Sequence, residues 1–330
     1  MNRRTFLRSL GLGGAALAVA SSGVSALPGE AQAAQGKGRV ELATLLDISK
    51  CIGCGACVEA CRESNESKFP EPQKPYPKMV PQRVKVEDWS ERRDEDARLT
   101  PYNWLTIQSA TVEHQGQSVE VNIPRRCMHC VNPPCADLCP WGAAFKRADG
   151  TVRINEDICL GGAKCRTVCP WDIPQRQTGV GLYLDLMPSL AGNGVMYKCD
   201  RCYQRIDTGG VPACIEACPM DVQSIGPRKE IVAKAKALAT ETGGYLYGLE
   251  ENGGTNTIYV SPVPFTDLDR AVEQGPGRPH LRPVVDVMAH DEKFAAAVLG
   301  APLAGLAAGL LTFVRGMKGS AGRDGEGGDA

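Results

Sequence analysis

Apolar and polar residues change period several times along the chain, and each change predicts an element. Over Trp104–Ala110 and Ser118–Ile123 they alternate, the period-two pattern of half-buried strands, which predicts a hairpin. Val152–Asn155 (VRIN) and the DVQSIG run from Asp221 read as short strands, and Arg228–Thr240 spaces its apolar residues as a helix does. Residues 243–290 return to turns and short strands, TIYVSPVPF among them. Between these elements, residues 176–198 make a Gly- and Leu-containing link without chemical groups. Residues 62–126 form an insertion whose first half, Pro-rich and then charged, predicts irregular surface chain. The insertion either clasps a partner or is a solvated loop carrying the hairpin.

Two longer apolar runs stand near the ends. Leu10–Ala20 follows Arg3, Arg4 and Arg8 and precedes a small-residue site at Ala31-Gln32-Ala33, the order of an export signal over residues 1–33. Val24-Ser25-Ala26 is the alternative cut, and the arginine pair before Thr-Phe-Leu resembles a twin-arginine signal. Phe294–Val314 runs 21 residues without a charge, and at about 1.5 Å per residue such a helix spans a bilayer core. Arg315, Lys318 and Arg323 follow it, which places the C-terminus in the cytoplasm and the bulk of the chain outside. Gly305 and Gly309 suit close approach of another helix, while Pro302 and the glycines weaken helicity and leave a buried soluble helix as the alternative. The Gly-rich tail, 315–330, is expected to be disordered.

Composition narrows the chemistry. A net charge of −1 and the lack of a basic stripe argue against a nucleic-acid partner. Aromatics at 5% are few for a large packed core, whereas Gly and Pro are plentiful. The 15 cysteines carry the most information. They fall into four tight blocks: Cys51, Cys54, Cys57 and Cys61; Cys127, Cys130, Cys135 and Cys139; Cys159, Cys165 and Cys169; Cys199, Cys202, Cys214 and Cys218. Disulfide frameworks rarely crowd cysteines two and three residues apart in successive blocks. The Cys-x2-Cys…Cys-x3-Cys-Pro runs match cubane iron–sulfur ligation, in which three close cysteines hold one cluster and the last reaches a partner cluster.

The blocks differ in detail. The first, CIGCGACVEAC, has the bacterial ferredoxin spacing, and its small Gly53, Gly55 and Ala56 let the backbone wrap tightly and aim N–H groups at sulfur. Blocks two and three repeat one another, each closing on Cys-Pro-Trp, so Trp141 and Trp171 are expected to pack over a cluster pair. In the third block Gly162 occupies the second ligand position. The fourth widens one gap but keeps Cys-x2-Cys before it and Cys-x3-Cys-Pro after it. His129, inside a filled ligand loop, reads as exposed or as a neighbour of ligands.

With all four blocks in view the chain resembles the four-cluster ferredoxin-like electron-transfer subunits of the dimethyl sulfoxide reductase type. Within them it is similar to the membrane-tethered periplasmic subunit of hydrogenase-2-type uptake hydrogenases. The resemblance covers residues 40–240 by motif and both ends by layout. It implies an α+β fold of tandem ferredoxin-like (bacterial dicluster) modules with loop-rich insertions, plus one C-terminal transmembrane helix. The organisation expected is a signal over 1–33, a cluster domain over 40–225, an extension over 226–290, a membrane helix over 294–314 and a cytoplasmic tail. The resemblance also implies the division of ligands. Cys51, Cys54 and Cys57 share a cluster with Cys218; Cys199, Cys202 and Cys214 with Cys61; Cys127, Cys130 and Cys135 with Cys169. Cys139, Cys159 and Cys165 hold the fourth, and with Gly162 in the vacant slot a 3Fe-4S cluster is expected beside three 4Fe-4S clusters. A four-iron cluster completed by water or another residue is the rival.

The function expected is a relay of single electrons between a catalytic oxidoreductase subunit, hydrogenase-like or a molybdoenzyme, and a membrane quinone or cytochrome partner. The location expected is the periplasmic side of the inner membrane. A multihaem-cytochrome complex of sulfur metabolism is an alternative partner. A stand-alone iron–sulfur enzyme would need convergent acid–base groups, but Asp267, Asp269, Asp286 and Asp291 are scattered. A redox sensor or structural scaffold is a further alternative, though sensors rarely need four clusters in series or a membrane helix. Cys-x2-Cys-His, Gly-x-Gly-x2-Gly and P-loop patterns do not occur.

Overall fold

The computed structural model describes residues 40–76, 86–186 and 194–289, and those up to Val287 belong to a single folded unit, residues 28–287. The expected export signal (1–33), the Phe294–Val314 run and the tail lie outside the described residues. Among the described residues no helix is long and apolar enough to cross a membrane.

The frame is a mixed sheet that the cysteine pattern does not announce. Strand β1 (Leu42–Asp47) runs just ahead of the first block and is buried over Ala43–Asp47. Helix α1 (Ala56–Asn65) then carries Cys57 and Cys61 inward. The insertion supplies β2 (Thr106–His114) and β3 (Gln117–Arg125), paired antiparallel along their whole length. Gln115 (φ 52°) and Gly116 (φ 76°) turn the hairpin; two consecutive left-handed residues give the turn whose twist matches paired strands. Two small hairpins follow the second and third blocks: β4 (Ala144–Lys146) with β5 (Val152–Ile154), and β6 (Gln175–Gln177) with β7 (Val195–Tyr197).

After the fourth block β8 (Gln223–Pro227) leads into helix α2 (Arg228–Thr242), then β9 (Tyr245–Tyr247) and β10 (Thr257–Ser261). The sheet order is β8-β1-β10-β9, with β1 parallel to β10 and antiparallel to β8. Residues read from sequence as an extension therefore supply an inner strand. That strand reaches the second block: Thr257 Oγ1 donates to the Cys127 carbonyl (3.0 Å) and the Tyr259 hydroxyl to that of Pro124 (3.0 Å). A cysteine-free apolar cluster of Ala43, Leu45, Ile231, Ala235, Ile258 and Val260 seals α2 to the sheet.

The described part of the insertion packs in part against the rest of this chain. Leu99, Tyr102, Trp104 and Leu105 are buried in the main core, where Phe69 meets Tyr102 and Trp104 edge-on. Its acidic stretch is tied to the third block. The Glu87 carboxylate accepts from Arg166 Nη1 and Nη2 (2.7 and 2.8 Å) and from Arg176 Nη2 (2.6 Å), while Arg176 Nη1 donates to the Gly161 carbonyl (3.0 Å). The link 176–198 thus does carry chemical groups, contrary to the expectation from sequence. Burial alone would raise the Glu87 pKa, but the two guanidiniums outweigh it and hold it below the usual value. Glu87→Gln should cost about 2 kcal/mol, discounted from a fully buried pair because Glu87 is 22% exposed. In a chain of this size that lowers the melting temperature by about 4–8 °C, which calorimetry of the iron-loaded protein would register.

Candidate metal centres

The local fold aims each block's sulfurs at a common space. In block one the left-handed Gly55 (φ 79°) caps α1, so Cys51 and Cys54 precede the helix and Cys57 sits in its first turn. Block three repeats this geometry. Ala163 (φ 55°) caps the four-residue helix Lys164–Thr167, with Cys165 in its first turn and Gly162 where block one has Cys54. Both of those positions face solvent: Cys54 is exposed, and so is Gly162. A Cβ built on Gly162 meets nothing within 4 Å, and no left-handed φ stands in its way.

None of the fifteen cysteines forms a disulfide, and their cysteine neighbours sort them into four groups. Cys51 and Cys57 lie with Cys54 and Cys218, lining one surface cavity. Cys61 lies with Cys199, Cys202 and Cys214. Cys130 and Cys135 lie with Cys127 and Cys169, and Cys165 with Cys139 and Cys159. Three contacts cross between groups: Cys57 with Cys214, Cys199 with Cys127, and Cys165 with Cys135. The groups therefore stand in a row, with that of Cys51 at one end and that of Cys165 at the other. Among the described residues no three His, Cys, Asp or Glu side chains close on a single metal ion.

Backbone amides address the sulfurs throughout. Val222 N–H reaches Cys218 Sγ (3.4 Å), Arg201 N–H Cys199 (3.4 Å), His129 N–H Cys127 (3.5 Å), Ala144 N–H Cys139 (3.5 Å) and Met196 N–H Cys159 (3.5 Å). Burial, reinforced by neighbouring thiols, pushes Cys57, Cys135, Cys165, Cys169 and Cys199 up to about 12. Iron is held by thiolates, so its binding must displace the protons of these buried thiols.

The interior also holds cations that the sequence pattern did not suggest. Arg126, Lys198 and Arg201 are buried around the two inner groups, and none forms a salt bridge to a carboxylate among the described residues. Arg126 Nη1 donates to Cys214 Sγ (2.7 Å). Burial alone would lower the Lys198 pKa, yet Cys127, Cys135 and Cys199 hold it above its usual value. Buried charges without counter-charges are costly. Thiolate-bound iron–sulfur clusters carry net negative charge, so this donor set and these cations fit such a group. The signal was present in the sequence as Arg125-Arg126-Cys127 and Lys198-Cys199-Asp200-Arg201-Cys202, basic residues set against ligand cysteines.

Of the two readings of His129 the neighbour of ligands holds: it is 1% exposed, with its backbone N–H at Cys127 Sγ and its Nε2 beside Cys199 Sγ. The two tryptophans of the repeat differ: Trp171 is buried and donates to the Tyr247 hydroxyl (2.8 Å), whereas Trp141 is 61% exposed.

Comparison with known families agrees with this chemistry. Residues 50–143 and 119–228 each match a 4Fe-4S dicluster domain. A formate dehydrogenase iron–sulfur subunit of Haemophilus influenzae is 31% identical over 246 residues, covering 72% of this chain and 70% of that protein. The chain belongs to the dicluster iron–sulfur subunits of the dimethyl sulfoxide reductase type. The nitrate-inducible formate dehydrogenase iron–sulfur subunit of Escherichia coli K12 is 31% identical over 230 residues, covering 67% and 68% of the two chains. The hydrogenase-2 operon protein HybA of Escherichia coli O157:H7 is 29% identical over 307 residues, 82% of this chain and 83% of that one. As a family member the chain is an iron–sulfur electron-transfer protein built from tandem dicluster modules.

Proposed function

We propose that this subunit relays single electrons through four clusters, one in each thiol group, between a catalytic oxidoreductase subunit and a membrane quinone or cytochrome partner. The observation that carries the reading is the row itself. Its first group opens to the surface at Cys54, flanked by exposed Ile52 and Met220; its last reaches the surface at Gly162 and Trp141. A relay needs two accessible ends and a closed middle, and the two inner groups are sheathed by buried side chains.

The clusters supply one-electron chemistry when bound. The chain spaces them, excludes water from the inner pair and aims N–H groups at their sulfurs. Three groups offer four thiols and suit 4Fe-4S clusters; the group of Cys139, Cys159 and Cys165 offers three and suits a 3Fe-4S cluster. That cluster is the high-potential step in this reading, nearest the membrane partner by resemblance to the family. The two relatives named for formate dehydrogenase and the hydrogenase-2 operon protein favour a formate dehydrogenase or hydrogenase as the catalytic partner. The twin-arginine motif and the basic residues after Phe294–Val314 favour the periplasmic face, with the chain's own helix as anchor.

Deleting the subunit should abolish hydrogen- or formate-driven quinone reduction in membranes while leaving dye-linked activity of the catalytic subunit intact. Quinone reduction that persists undiminished would refute the relay.

A further inference from the structure

One short segment joins the two inner thiol groups. Cys127 belongs to the third group, yet both residues flanking the Cys127-Met128 pair reach back to the second. Arg126 Nη1 donates to Cys214 Sγ at 2.7 Å. His129 Nε2 lies 3.7 Å from Cys199 Sγ, while its own backbone N–H points at Cys127 Sγ (3.5 Å). The imidazole tautomer follows from its other nitrogen. His129 Nδ1 accepts from Val152 N–H (3.0 Å), so the hydrogen resides on Nε2 and faces the sulfur. His129 holds this pose with a left-handed backbone, φ 46°.

We propose that Arg126 and His129 are positioning residues that raise the reduction potential of the cluster held by Cys61, Cys199, Cys202 and Cys214. The inference rests on the relay reading and adds to it a specific control of one step. Adding an electron makes a cluster more negative, and hydrogen bonds to its sulfurs together with nearby positive charge favour the reduced form. Arg126 supplies both, from a position only 4% exposed, where water screens little. Among the described residues no carboxylate forms a salt bridge to it, so its charge is directed at sulfur. His129 adds a neutral donor to a second ligand of the same cluster. Other groups near this cluster contribute without distinguishing it as sharply. Lys198 Nζ donates to the carbonyls of Val152 and Cys199 and its charge is shared with Cys127 and Cys135 of the next group, while the Arg201 guanidinium donates to the carbonyls of Leu42 and Asn256.

The test is an EPR-monitored redox titration of the iron-loaded full-length chain. In R126Q the midpoint of this cluster should fall most, by a tenfold or larger change in its reduction equilibrium, about 59 mV for one electron, and the others by clearly less. R126K, which keeps the charge on a shorter reach, should restore most of the shift. H129N suits the left-handed backbone but is too short to reach Cys199, and should lower the same midpoint by less. If R126Q fails to hold its iron, H129N decides alone: a fall at one midpoint supports the proposal, and no change overturns it. An iron-replete R126Q with unmoved midpoints, or with all midpoints moving together, overturns it as well. Failure of the relay reading looks different, because the unmodified chain would then lack reducible clusters altogether.

Discussion

On the proposed three-iron ligation, Gly162→Cys is expected to remove a three-iron EPR signal from the oxidised protein, add one iron atom per chain and lower that cluster's midpoint by more than tenfold in its reduction equilibrium. The space for a fourth thiol already exists. The position repeats that of Cys54 in block one, one residue before a left-handed helix cap, and a Cβ there meets no atom within 4 Å. The local backbone is held independently of any iron, through the Arg176 bond to the Gly161 carbonyl and the Glu87 carboxylate behind it. The substitution therefore changes ligation and little else, and the added iron shifts cluster charge, one of the determinants of potential. Spectra and iron content identical to those of the unmodified protein would show that a fourth ligand is already supplied from elsewhere.

Removing iron anaerobically with a chelator should melt the cluster region and spare part of the sheet. Nine of the cysteines sit inside the main apolar core: Cys57, Cys61, Cys127, Cys130, Cys135, Cys159, Cys165, Cys199 and Cys214. Around them the regular structure is minimal, with three-residue strands in β4–β7 and four-residue helices at Pro134–Asp137, Lys164–Thr167 and Ala213–Glu216. Elements that short have no stability of their own. Loss of the clusters would also strand Arg126, Lys198 and Arg201, and an uncompensated buried charge costs about 3–5 kcal/mol. Against a net stability of about 5–15 kcal/mol, that is decisive. The cluster of Ala43, Leu45, Ile231, Ala235, Ile258 and Val260 contains no cysteine and should outlast it. Hydrogen exchange should therefore show lost protection across 127–218, with retained protection in β1, β10 and α2. Full protection across 127–218 in iron-free protein would contradict the account.

What the sequence disclosed followed the chemistry that spacing encodes. Cysteine blocks announce metal because ligand geometry fixes their intervals, and the alternation in Trp104–Ala110 and Ser118–Ile123 announced β2 and β3 because one face of that hairpin is buried. The sheet was less legible. β1 is a short apolar run without alternation, and its neighbour β10 lies more than two hundred residues on, a pairing that no local pattern carries. Trp141 and Trp171 looked equivalent in the repeat, yet their burial is decided by what the rest of the chain brings. Tyr247 covers Trp171, while Trp141 is left largely exposed. The buried arginines and lysine gave no signal on their own for a related reason: a charged side chain in sequence reads as surface until its counter-charge, here a metal cluster, is placed beside it.

The most direct test of the row of clusters is an anaerobic coulometric reduction of the purified chain, counting electrons taken up. The account predicts four one-electron steps per chain, one for each thiol group. Uptake of two electrons or fewer by iron-replete protein, or bound zinc in place of reducible iron, would contradict it.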